Sequence, residues 1–183
     1  MIRRMAESIR ASISIRILYY TEMVVIMKTK ESGSLIAPKN DYYVLIPNVS
    51  FGIFKFGATI ESYCRYEYES DRIPDRIDSR RFFDRFYFPY FNIRLWSYDG
   101  NTIDSVLTDS ACILEGKNII GMPFKLFQEK YGPPDDSDII FLPQDDRQTH
   151  HVYDYDSLGL QLWTWRNRIV EVIAYDGNAS EDE

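Results

Sequence analysis

The chain has 183 residues with 45% hydrophobic and 27% charged content, the balance of a globular protein with room for one ordinary domain or two small packed repeats. Its net charge of −7 disfavours non-specific nucleic-acid binding and suits a cationic partner. Two cysteines, Cys64 and Cys112, make no disulfide framework and read as buried thiols of a reducing compartment.

Residues 1–26 carry Arg3, Arg4, Arg10 and Arg16, and Glu22 interrupts their most apolar part. That pattern is too broken for a membrane span, and no small-residue cleavage site follows a clean apolar core. Two readings stay open: an amphipathic helix, or a stretch preceding a natural start at Met27. Residues 1–41 form an N-terminal extension in either case.

Residues 42–47, YYVLIP, predict a strand closed by Pro47. After Phe51-Gly52-Ile53, the apolar residues Phe56, Ile60, Tyr63 and Cys64 fall at helical spacing, which predicts a short helix near 55–66. Residues 65–85 mix Arg with Asp and Glu, contain Pro74, and read as a loop with short helical pieces. Phe86, Phe88 and Phe91 lead into a hairpin over 90–109 whose tip carries Asp99-Gly100.

The pattern then restarts. Cys112-Ile113-Leu114 is the counterpart of the first strand, and Ile120-Gly121-Met122 that of Phe51-Gly52-Ile53. Phe124, Phe127 and Tyr131 predict a helix over 123–131, stopped by Gly132-Pro133-Pro134. Residues 133–150 read as a polar, acidic loop, after which Tyr153 and Tyr155 take the places of Phe86 and Phe88. Two period-2 runs, 158–165 and 169–173, flank the polar tip Arg166-Asn167-Arg168 and predict a second hairpin. The offset between the copies drifts from 69 at the glycine to 67 at the tryptophan and 66 after the turn, as small indels at loops would produce. The expected architecture is α+β, with two tandem repeats (42–110 and 111–176), each a short helix packed on an antiparallel β-sheet. A disordered acidic tail, 177–183, follows.

The glycine step before a short helix (Gly52-Ile53, Gly121-Met122), followed by an aromatic-rich antiparallel sheet and repeated once, resembles the tandem repeat of β-lactamase inhibitory protein and the related outer-membrane assembly lipoprotein fold. The disulfides and secretion signal of the inhibitor are not evident here, and no cysteine stands before Cys64 to take a lipid anchor. In its overall acidic character the chain is also similar to bacterial immunity proteins, the antidotes encoded beside secreted toxins. These resemblances imply a binding protein.

The residue types point away from catalysis. His150 and His151 are the only histidines, and neighbours on an extended chain point apart, so a shared metal or a catalytic triad is disfavoured; they read as surface residues of a loop. Asp154 to Gly159 departs from a calcium loop at Leu158, and the nine glycines build no phosphate loop. No metal, cofactor or enzymatic activity is expected. Residues 133–156 hold Asp135, Asp136, Asp138, Asp145, Asp146, Asp154 and Asp156 against Arg147, whereas Arg and acid balance in 65–85. This charge difference suits a solvated loop or a contact with a basic protein surface. The expected function is that of a cytoplasmic, non-enzymatic inhibitor, monomeric or weakly dimeric. It would be an immunity protein occluding a toxin, for instance a nuclease, through Asp135, Asp136, Asp138, Asp145, Asp146, Tyr153, Tyr155, Trp163 and Trp165. The alternative is a small-molecule or polysaccharide module in which Trp163 and Trp165 stack on the ligand.

Overall fold

The computed structural model describes residues 40–74, 82–142 and 148–178. The extension before Asn40, the acids Asp145 and Asp146, and the tail beyond Asn178 lie outside them.

Two sheets carry the fold. The smaller contains β1 (Val44–Ile46), β2 (Ser50–Phe51), β3 (Phe54–Lys55), β8 (Ile113–Leu114) and β9 (Lys117–Asn118), in the order β3-β2-β1-β8-β9. The larger contains β4 (Glu69–Pro74), β5 (Phe82–Phe88), β6 (Ile93–Ser97) and β7 (Ser105–Thr108) from the first half. The second half adds β10 (Asp136–Leu142), β11 (Gln148–Tyr155), β12 (Leu160–Trp165) and β13 (Arg168–Tyr175). Its order, β10-β11-β12-β13-β7-β6-β5-β4, makes it two four-stranded meanders joined through their last strands.

Both joints match like with like. Leu107 lies opposite Ile173, its counterpart at offset 66, with Val106 and Thr108 opposite Ala174 and Val172. That register is a local twofold between the meanders. In the small sheet Val44 and Leu45 pair in parallel with Ile113 and Leu114, their counterparts at offset 69. Joining the meanders covers two edges that would otherwise stay open, and leaves β4 and β10 as the edges of the large sheet.

The described residues are mostly β, in two sheets with many antiparallel strands, and they hold one helix where the α+β expectation has one in each of two repeats. Among the described residues the single α-helix is α1 (Phe124–Tyr131) in the second half. It runs where the spacing places it and ends at Gly132, which takes φ 87° and donates its N–H to the Gln128 carbonyl. The helix expected near 55–66 is a 3-10 turn over Ile60–Tyr63, preceded by β3. Gly57 at φ 71° bends the chain out of helical geometry, and its N–H bonds to the Ile103 carbonyl. The described parts of the charged stretches 65–85 and 133–150, read as loops, are largely strands: β4 pairs antiparallel with β5, and β10 with β11, at the two edges of the large sheet. Mixed charge along them marks edge strands facing water.

The hairpins foreseen at 90–109 and 158–173 are present as β6–β7 and β12–β13. Arg166 and Asn167 alone turn the second, both at positive φ, as a two-residue turn requires. Alternation then sorts the side chains. Leu160, Leu162, Val172 and Ala174 join Phe86, Phe88, Leu95 and Val106 on an inner face covered by the small sheet and α1. Trp163, Ile173, Trp96 and Leu107 lie on the outer face. The tail is anchored at its root, where the Gly177 N–H bonds to Asn48 Oδ1 at 2.9 Å.

Candidate functional site

Tyr155 is 2% exposed, packs edge-to-face on Phe127 and donates its hydroxyl proton to the Gly132 carbonyl at 3.1 Å. Burial, with smaller contributions from Tyr153 and Asp135, pushes its hydroxyl up to about 12. Tyr153 stacks on Phe124 with ring centroids 3.8 Å apart. Both tyrosines thus bind α1 to the sheet, Tyr155 buried and Tyr153 half-buried; their inner-face placement follows from alternation with Val152 and Asp154.

Trp163 is 4% exposed on the outer face and donates its indole N–H to Gln161 Oε1 at 3.0 Å. It is therefore buried, not exposed, in the intact chain. Trp165 is half-buried beside the hairpin tip, where the Arg166 guanidinium lies 4.2 Å from its ring centroid. His150 and His151 lie on β11 instead of a loop and on opposite faces: His151 is exposed, whereas His150 approaches Trp163 at 6.1 Å between ring centroids. Among the described residues no three His, Cys, Asp or Glu side chains come together to hold a metal ion. Both cysteines are free thiols. Cys112 is buried, which raises its pKa, but Cys64 is exposed, since it caps a 3-10 turn that offers too short a stripe to bury it.

The acidic residues keep their surface placement. Asp135 and Asp138 are exposed and Asp136 half-buried at the start of the edge strand β10. Asp135 also has a structural task, since its Oδ2 accepts the Asp156 N–H at 2.8 Å and holds the end of β11. Beyond these acids, the same strand presents two side chains that sequence reasoning missed. Ile139 is 63% exposed and Phe141 51%, neighbours on one face at period 2. An edge strand has an unpaired backbone side, and large apolar side chains beside it are unusual on an isolated surface. The signal was present in the run Ile139-Ile140-Phe141-Leu142: a strand at a sheet edge buries alternate residues, so part of a four-residue apolar run must face water.

The opposite edge is built against association. At offset 67, Ile139 corresponds to Arg72 and Phe141 to Pro74 on β4. The Arg72 guanidinium sits 5.0 Å from the Phe82 ring centroid, and Pro74 has no N–H to offer. One edge is blunted while its counterpart is apolar and flanked by carboxylates. Chemically, β10 offers main-chain hydrogen bonding, two apolar anchors and negative charge to an incoming protein segment.

Compared with known proteins, the chain matches no family model, no curated protein and no solved structure. Among the described residues no helix is long and apolar enough to cross a membrane.

Proposed function

We propose that this chain is a non-enzymatic, cytoplasmic protein-binding inhibitor, most concretely an immunity protein that occludes a cognate bacterial toxin. The observation carrying the reading is the β10 edge, where exposed Ile139 and Phe141 stand beside Asp135 and Asp138. The apolar pair anchors a partner strand or loop, and the carboxylates steer it toward a cationic surface. A net charge of −7 and two free thiols suit an inhibitor working in a reducing compartment against a basic target.

The test is co-purification with the product of the adjacent gene at low and high salt, comparing the native chain with Ile139→Lys/Phe141→Lys and with Asp135→Asn/Asp138→Asn. The apolar pair should weaken the complex by at least about 2 kcal/mol, as central anchors do. The charge pair should lower the salt dependence and slow association. Unchanged affinity in Ile139→Lys/Phe141→Lys would remove β10 as the binding edge.

A further inference from the structure

Hydrogen-bond parity fixes which main-chain groups of β10 face outward. The Tyr175 N–H bonds the Gly159 carbonyl, so odd-numbered residues of β12 bond β13 and even-numbered ones bond β11. Asp154, Val152 and His150 are then left to bond β10, and the Asp154 carbonyl accordingly accepts the Asp135 N–H at 2.8 Å. Their partners are Asp136, Asp138 and Ile140, so the N–H and C=O groups of Ser137, Ile139 and Phe141 face the free side. Two of these donors are covered from within the strand. Asp136 Oδ1 accepts the Ser137 N–H at 2.8 Å, and Asp138 Oδ1 accepts the Ile139 N–H at 2.7 Å. Among the described residues β11 is the only strand paired with β10.

The first half shows what distinguishes this edge. At offset 67, Asp136, Ser137, Asp138 and Ile140 correspond to Glu69, Ser70, Asp71 and Ile73, the same kinds of residue in the same order. Within that stretch only Ile139 and Phe141 differ in kind, standing where β4 has Arg72 and Pro74. The cross-strand neighbours differ as well. Asp71 lies opposite Arg85, whose Nε–H donates to its Oδ1 at 2.8 Å. Asp138 lies opposite Val152, which brings no charge. The first-half carboxylate is neutralised inside the sheet, whereas the second-half one rests on an edge N–H.

We infer, resting on the reading of β10 as the binding edge, that it takes a partner strand added antiparallel to it, with cations on one face and apolar residues on the other. A Lys or Arg opposite Asp138 draws the carboxylate off the Ile139 N–H, which then bonds the incoming main chain. A neutral strand leaves the carboxylate in its way. Asp136 and Asp138 lie on the outer face with Ile140, and Ile139 and Phe141 on the inner face with Tyr153. Cation and apolar anchor therefore belong on opposite faces of the incoming strand. Read from its N-terminus, that strand sets apolar residues opposite Phe141 and Ile139, then cations opposite Asp138 and Asp136. Antiparallel addition continues the pairing of the large sheet and is the more stable direction per residue.

The test is a titration of the full, isotope-labelled chain with the peptide Thr-Val-Thr-Val-Lys-Thr-Lys, followed by amide NMR shifts. Shifts should fall on β10, and the reversed sequence, which sets its lysines opposite Leu142 and Ile140, should bind roughly tenfold more weakly. Methylating the main-chain nitrogen of the fourth residue, which meets Ile139, should cost at least about tenfold; methylating the fifth, turned away from β10, should cost little. Asp138→Lys should weaken binding roughly fivefold, and a peptide with Glu as its fifth residue should recover it on that variant alone. Shifts that leave β10 untouched, or equal losses from the two methylations, would overturn the strand. So would β10 shifts that change on dilution without peptide, since the edge would then belong to a second copy. A peptide paired on β10 with no toxin co-purified keeps the strand and removes the immunity reading. A toxin lost through Ile139→Lys/Phe141→Lys, from a chain indifferent to the methylations, keeps the binding edge and removes the strand.

Discussion

Phe86 and Phe88 in the first half stand where Tyr153 and Tyr155 stand in the second, each pair opposite equivalent positions of the next strand: Leu95 and Ile93, or Leu162 and Leu160. The covers over them differ. In the second half α1 lays Phe124 and Phe127 on the tyrosines, and the Tyr155 hydroxyl reaches the helix-end carbonyl of Gly132. In the first half a cluster of rings does the same work without a helix: Phe54 packs on Phe88 at 4.9 Å and on Phe91 at 5.6 Å, with Tyr68 beside Phe86 and Phe88. A helix brings an ordered end with polar groups, so a buried tyrosine is satisfied there. A packed ring cluster brings edges and faces, so phenylalanine serves better.

The glycines give the largest test of that comparison. Gly52 and Gly121 are counterparts, both at positive φ. A Cβ at Gly52 would stand 2.1 Å from the Tyr42 carbonyl oxygen, whereas one at Gly121 would meet nothing within 4 Å. Gly52→Ala should therefore cost about 3 kcal/mol or more, since backbone must move, and Gly121→Ala about 1 kcal/mol from conformation alone. Equal losses in urea unfolding would mean that the two turns are equivalent after all.

Exchanging the aromatic pair is a smaller perturbation. Phe88→Tyr places a hydroxyl within a fully buried ring cluster and should cost about 1–3 kcal/mol. The reverse change, Tyr155→Phe, loses one neutral hydrogen bond and should cost about 1 kcal/mol. If Phe88→Tyr proved harmless, the ring cluster would have to hold a polar partner that its packing does not suggest.

The hairpin tips differ most in their response to acid. Burial raises the Asp99 carboxyl, but N–H groups of Thr102 and Asn101 and hydroxyls of Ser97 and Thr102 outweigh it and hold the group at about 2. A depressed carboxyl adds stability above its unfolded value, and that stability is lost as pH falls from about 4 toward 2. Asp104 in the same loop is raised by burial, with the Asp99 charge adding to it, so its contribution runs in the opposite sense. The difference between the native chain and Asp99→Asn isolates the first term. It should be about 1 kcal/mol at pH 6, reduced by the exposure of the site, and vanish near pH 2. The second tip, turned by Arg166 and Asn167, has no such carboxylate. Amide exchange at Asn101 and Thr102 should rise on acidification beyond the intrinsic change, and that at Arg168 should not.

The amino-acid sequence by itself determined the repeated hairpins, the helix at 124–131 and its stop, and the matching of Phe86 and Phe88 with Tyr153 and Tyr155. These rest on local rules: period-2 alternation, helical spacing and glycine at a left-handed turn. It also placed Trp163 on the face away from the helix, because alternation with Leu162 requires it. Only the tertiary structure decided that the charged stretches are edge strands, since pairing partners tens of residues away override weak local preference. It alone decided that Tyr155 and Trp163 are buried and Tyr153 half-buried while Ile139 and Phe141 are exposed. Which face of a strand meets a cover, and which strand is left at an edge, depend on how two halves join. No local pattern in either half contains that information.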